Sequence, residues 1–290
     1  MYKQIDSNKR KSFLFMTIFV LVIFGLSWVW AQYSEGGYFV VILATIMAIM
    51  TSMISFYAGD KVALSTAGAK EITKDDNPYV WRMVENLSIT AGIPMPKIYI
   101  INDSAMNAFA TGRDPKHSSI ALTTGIIQGL KNEELEGVIA HEMSHVKNYD
   151  IRLMMVVIIC VGIITLLADW LLRSFIWRGH SREENKGGGI LIIVGLVLAI
   201  LSPLFAKLIQ LAISRKREFL ADASGSLLTR YPEGLARALE KINLQNKPLK
   251  RANKATAHLY ISNPFKDGSA AKLFSTHPPI EQRVKALRSM

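Results

Sequence analysis

The chain carries one cysteine, Cys160, in 290 residues. No disulfide can form within it, and a site built from several cysteines is excluded. Cys160 stands in the middle of an apolar stretch and reads as a small buried hydrophobe. Acidic residues are also short: 23 Asp and Glu face 34 Lys and Arg, for a formal charge of +11 and a pI near 9.7. Such a balance would suit nucleic acid, but no nucleic-acid recognition module is visible. In a chain with membrane segments, basic residues instead fix orientation and meet anionic lipid. Internal repeats are absent, which argues against solenoids and arrays.

Charge is missing altogether from two long stretches, Phe13–Trp30 and Tyr38–Tyr57, each about long enough to cross a hydrocarbon core. Two less pure stretches follow. Leu153–Leu172 contains Asp169, and Ile190–Ile213 contains Pro203, Lys207 and Gln210. A hydrophobic content of 50% and a mean hydropathy of +0.23 agree with a membrane protein. Lys3, Lys9, Arg10 and Lys11 ahead of the first stretch give it the look of a signal peptide. The stretch is longer than a usual signal core, Trp30–Gln32 is no cleavage site, and a second span follows at once, so an anchor is expected. The connection Gln32–Gly37 has Glu35 and no Lys or Arg, which puts the N-terminus in the cytoplasm and this turn outside. The polar connection Arg173–Gly189 is net basic and would face outward if both later stretches span, against the same rule. A shallow hairpin is the alternative.

What is present between and after these stretches is a folded domain in two parts. Pro78–Ala91 has a helical stripe of Val80, Val84 and Leu87, with Gly92 placed to stop it. Lys97–Ile101 is β-branched and aromatic, hence a strand. Asn107–Thr111 and Ser118–Thr123 read as a hairpin around the polar turn Gly112–His117. Tyr231–Leu244 and Pro279–Leu287 read as helices, the second opened by prolines, and Gln245–Lys254 as a basic loop. The expected organisation is a membrane hairpin (1–57), a first catalytic part (58–150), a second hydrophobic pair (151–213) and a second catalytic part (214–290).

Glu133–Asp150 holds His141, Glu142 and His145 in the order H-E-x-x-H on an expected helix, with Asn132 as N-cap and Leu135, Val138 and Ile139 as its buried stripe. Residues four apart share a helical face, so both histidines can reach one Zn²⁺, and Glu142 beside them can act as general base toward water at the metal. The bland alternative is an amphipathic helix with two surface histidines. A third ligand belongs on another element, and Glu218 in Arg215–Asp222 is the candidate. Asp222, four residues on, could hold a ligand histidine through its other ring nitrogen. Alternatively, both are solvated charges pairing with Arg215 and Arg217.

Four motifs, NAFATG at Asn107–Gly112, HEMSH at His141–His145, SRKREFLAD at Ser214–Asp222 and STHPP at Ser275–Pro279, occur in order among the apolar segments. In this the chain closely resembles the HtpX family of bacterial membrane zinc proteases. The resemblance implies an α-helical integral membrane protein with four hydrophobic helices and an α+β metalloprotease domain of gluzincin type. It also implies one Zn²⁺ per chain, a cytoplasmic active site in the plasma membrane, and a role in quality control of membrane proteins under stress. By that resemblance His141, His145 and Glu218 are the zinc ligands, Glu142 the base and Asp222 the outer partner of a histidine. Unfolded or membrane proteins would be the substrates, with membrane lipid as the surroundings. His277 could polarise the substrate carbonyl or close the site, while His117, His180 and His258 read as loop or surface residues. Asn107, Ala108, Phe109 and Ala110 could form the edge along which an extended substrate lies. Two other functions compete: a dedicated processing protease for lipidated C-termini, and a membrane scaffold in which the histidines are incidental.

Overall fold

The computed structural model describes residues 2–32, 37–157, 160, 163, 215–245, 247–251, 256–265 and 278–290. Two long helices lead, α1 (Tyr2–Ala31) and α2 (Gly37–Ala67). Within them Ile5–Trp28 and Val41–Ala67 are long and apolar enough to cross a membrane. Large apolar side chains such as Phe13, Leu21, Phe39, Ile42 and Met53 stay exposed along both, as lipid-facing positions would. Helix α2 runs ten residues past Tyr57, so no backbone break falls at residue 57. The reason lies in its last turns, where Ala63, Leu64 and Ala67 are buried against the sheet. The third and fourth apolar stretches lie mostly outside the described residues, as does the connection between them. Residues 150–157 are helical.

The sheet has the order β1-β2-β4-β3, built from β1 (Ala69–Glu71), β2 (Lys97–Ile101), β3 (Ala108–Asp114) and β4 (His117–Thr123). β2 and β4 are parallel, and the other two pairs are antiparallel. The expected hairpin is there, but the strands extend into its turn, with an irregularity between Gly112 and Asp114. Gly112 has φ of 136°, and a Cβ there would lie 2.2 Å from the His117 carbonyl oxygen, so only glycine fits.

Successive strand residues point to opposite faces. Ala108, Ala110, Ile120 and Leu122 therefore join a core with α3 (Pro78–Ala91) and α5 (Asn132–Lys147), whereas Phe109 and Ala121 face the end of α2, Met155 and Tyr260. Helix α3 is capped by the Asn77 side chain and stops at Gly92, as expected. The short α4 (Thr124–Gly129) leads into α5, whose Leu135, Val138 and Ile139 are fully buried. Asn132 is the first residue of α5 rather than its cap; the turn is closed by Glu134, which accepts from the Lys131 N–H at 2.7 Å.

Among the described residues three further helices follow: α6 (Arg215–Thr229), α7 (Pro232–Gln245) and α8 (Ile280–Arg288). Pro279 stands just outside α8 as its cap residue. His258, expected in a loop or at the surface, lies in a 3₁₀ turn, Ala257–Leu259, and is buried there rather than exposed. The turn is drawn in by its neighbours Leu259 and Tyr260, the latter packed edge-on against Phe109 at 4.9 Å. His117 is exposed as expected, with Nδ1 2.8 Å from Asp114 Oδ1. Cys160 is a buried free thiol beside Phe19, Ala48 and Val156. His180 lies outside the described residues.

Candidate metal centre

Helix α5 is the middle of the domain, and helical spacing brings His141 and His145 to one side of it. Their Nε2 atoms are 3.2 Å apart. The third element is α6, which approaches closely because it carries Gly225: a Cβ there would sit 2.9 Å from the His141 backbone nitrogen. Glu218 thereby comes to 3.7 Å from His141 Nε2 and 3.6 Å from His145 Nε2 through its two oxygens. Glu218 and Asp222 are both buried, with 2% and 0% of their surface exposed, which overturns the solvated-charge alternative.

The other ring nitrogens are spoken for. His141 Nδ1 is 2.9 Å from Asp222 Oδ1, and His145 Nδ1 is 3.1 Å from Asp150 Oδ2. Carboxylates at both Nδ1 positions leave both Nε2 lone pairs directed at the space beside Glu218, the donor arrangement of a histidine metal site. Ligand atoms of His141, His145 and Glu218 lie within 4.8 Å of one another. The charge count points the same way. Four buried carboxylates (Glu142, Asp150, Glu218, Asp222) meet one buried guanidinium, Arg283, and the part-buried Arg217, an excess of acidic groups that a divalent cation would offset. The residues fit a metal held by two nitrogens and one carboxylate oxygen.

Glu142 is 2% exposed and lies beside the Ala110 backbone amide of β3. Burial raises its pKa and Glu218 adds to the rise, against the two histidines and the Ala110 amide, which lower it. Asp222 ends below its ordinary range: burial pushes it up, but Arg283 and His141 outweigh that.

Asp150, Arg283 and Asn8 were not singled out from the sequence. Asp150 reaches back to His145 because α5 does not run on to residue 150. It ends at Lys147, and Tyr149 takes the left-handed φ of 60°. Arg283 of α8 binds Asp222 twice, Nη2 to Oδ1 at 2.6 Å and Nε to Oδ2 at 2.9 Å, while its Nη2 lies 3.4 Å from each ring nitrogen of His141. A readable signal existed for Arg283, which interrupts the apolar stripe Ile280, Val284, Leu287 of its helix.

The proposed substrate edge is partly occupied by the chain itself. Thr123 N–H donates to the Asn107 carbonyl, so by antiparallel alternation Ala108 and Ala110 turn their backbone groups away from β4. Ile261 N–H donates to the Ala108 carbonyl at 2.9 Å, and the Asn107 side chain bonds the Ser262 carbonyl at 3.0 Å. The outward edge beside Glu142 begins at Ala110. His277 lies outside the described residues.

A helix with two convergent histidines, a glutamate between them and a second glutamate from a neighbouring helix define a metalloprotease. The comparisons agree. Peptidase family M48 matches residues 74–290. A protein described as Protease HtpX homolog from Dictyoglomus turgidum is 47% identical over 289 residues, covering 100% of this chain and 94% of its own. Those of Tropheryma whipplei and Ligilactobacillus salivarius are 45% and 41% identical, covering 100% of this chain and 98% and 100% of theirs. The crystal structure of S. mikatae Ste24p is similar in fold, with a TM-score of 0.50 at 19% identity over 99% of this chain and 67% of that one. The chain belongs to the HtpX metalloproteases of peptidase family M48. It is a membrane metalloprotease, and the scaffold reading falls away.

Proposed function

We propose that this protein is a zinc-dependent membrane endopeptidase that cuts misfolded or membrane-associated proteins in quality control under stress. The observation that carries the reading is the convergence of His141, His145 and Glu218 next to Glu142, at the start of an outward strand edge. His141, His145 and Glu218 would hold one Zn²⁺. Zinc bound there supplies a Lewis acid that polarises a carbonyl and acidifies a water. Glu142 takes the proton from the attacking water and returns it to the leaving amine. Its raised pKa suits both halves of that task. Asp222 and Asp150 fix the rings of the two histidines.

An extended substrate pairs with the β3 edge from Ala110 onward through backbone hydrogen bonds, which select little for side chain. The lack of Lys and Arg at Gln32–Gly37, against Lys9–Lys11 at the other end of α1, supports a multi-pass protein of the bacterial plasma membrane with its site and both termini in the cytoplasm. The test is Glu142→Gln in the full-length protein. It keeps one zinc per chain and loses at least about a hundredfold in hydrolysis of unfolded casein. Casein cleavage at the wild-type rate would remove Glu142 from the mechanism.

A further inference from the structure

We infer that Asn8, on the first membrane helix, is a positioning residue of the metal centre, holding Asp150 in place against His145. The inference rests on His145 being a ligand, as proposed above. Asn8 is a buried amide in the polar first turns of α1, ahead of the helix's apolar stretch. Its Nδ2 donates to Asp150 Oδ1 at 2.8 Å and to the Asn148 carbonyl at 2.9 Å. Both neighbours are acceptors only, so the amide has one possible orientation. Asp150 uses its other oxygen for His145 Nδ1 at 3.1 Å. A chain of contacts thus runs from the membrane helix through one carboxylate to the imidazole.

The turn it grips needs fastening. Asn148 and Asp150 flank Tyr149, whose positive φ is uncommon for a residue other than glycine and persists where the surroundings impose it. Asn8 ties both sides of that turn, and Lys9 adds a contact from the same helix, with Nζ 4.5 Å from the centre of the Tyr149 ring. A cation also lies near Asp150 Oδ1, Arg217 with Nη1 at 3.7 Å, a charge contact longer than a hydrogen bond. Asn8 supplies a short, directional hold on that oxygen. Without it the carboxylate can turn from His145, and the ring loses the partner that directs Nε2. Docking of the membrane anchor and assembly of the metal centre become one event.

The experiment compares full-length wild type, Asn8→Ala, Asp150→Ala and the double variant in lipid nanodiscs. Zinc affinity is read by competition with a chromophoric chelator, and ligand geometry by the visible absorption of the Co²⁺ form. Asn8→Ala is expected to bind zinc about 10–100-fold more weakly and to change the Co²⁺ spectrum. The double variant is expected to bind no more weakly than Asp150→Ala, because the amide acts through that carboxylate. Wild-type affinity in Asn8→Ala, or additive losses in the double variant, would overturn the inference. If Asn8→Ala is not recovered folded, Asn8→Ser is read by the same two criteria. A His145→Ala protein that binds zinc as wild type would instead bring down the ligand assignment beneath it.

Discussion

Replacing Asp222 by alanine tests how the centre is held together, because Asp222 serves two neighbours at once. It accepts from His141 Nδ1 at 2.9 Å and binds Arg283 through two hydrogen bonds of 2.6 and 2.9 Å. Asp222 and Arg283 are each 0% exposed. Loss of the histidine partner alone weakens metal binding or activity by about 10–100-fold. Loss of the carboxylate also strands a buried guanidinium, whose nearest remaining carboxylate oxygen, Glu218 Oε2, is 3.7 Å from Nη1. Breaking a buried pair from one side costs about 3–5 kcal/mol, a large part of the 5–15 kcal/mol typical of a folded protein.

Asp222→Ala should therefore lower the thermal midpoint by something on the order of 10 °C as well as weakening zinc. Adding Arg283→Met removes the stranded charge and should return much of the stability, while zinc stays weak because His141 still lacks its partner. Thermal circular dichroism of the purified protein and chelator competition read the two effects separately. A double variant no more stable than Asp222→Ala would refute the assignment of Arg283 as the stranded charge.

Metal affinity should also depend on pH. Burial alone would lower the pKa of His145, but Asp150, Glu218 and Glu142 outweigh it and raise it to about 9 in the metal-free protein. Zinc must displace that proton, so affinity falls about tenfold for each pH unit below 9 and levels off above it. A flat affinity from pH 7 to 8.5 would contradict this. The raised pKa also means that, without metal, the proton on His145 stabilises the fold fully below about pH 6.5, and that this stability is lost as pH rises through about 9.

The place of cutting follows from Asn8, which lies five residues before Phe13, about 7–8 Å along a helix. A reporter with its cleavable segment directly after a membrane helix should be cut faster in liposomes than the same segment on a long linker or a soluble carrier. Equal rates would refute it.

The parts legible in the sequence were those with local periodicity or spacing. The α5 stripe, the four-residue steps from His141 to His145 and from Glu218 to Asp222, and strand β2 needed no knowledge of neighbours. β1 was invisible because Ala69–Glu71 has no strand pattern of its own and exists through pairing with β2. The end of α2 was missed because charge at Asp60 and Lys61 ended the apolar run, although Ala63, Leu64 and Ala67 still face the sheet. Expecting α5 to run on to Asp150 hid the break at Tyr149, and with it Asp150. Asn8 gave no local signal at all, since its partner lies 142 residues away.

The central claim is that His141, His145 and Glu218 hold one zinc. Metal analysis of purified full-length protein, wild type beside Glu218→Gln, tests it most directly. One zinc per wild-type chain and a clear loss in the variant are expected. A wild type without stoichiometric zinc, or a Glu218→Gln protein that keeps it at wild-type affinity, would contradict the account.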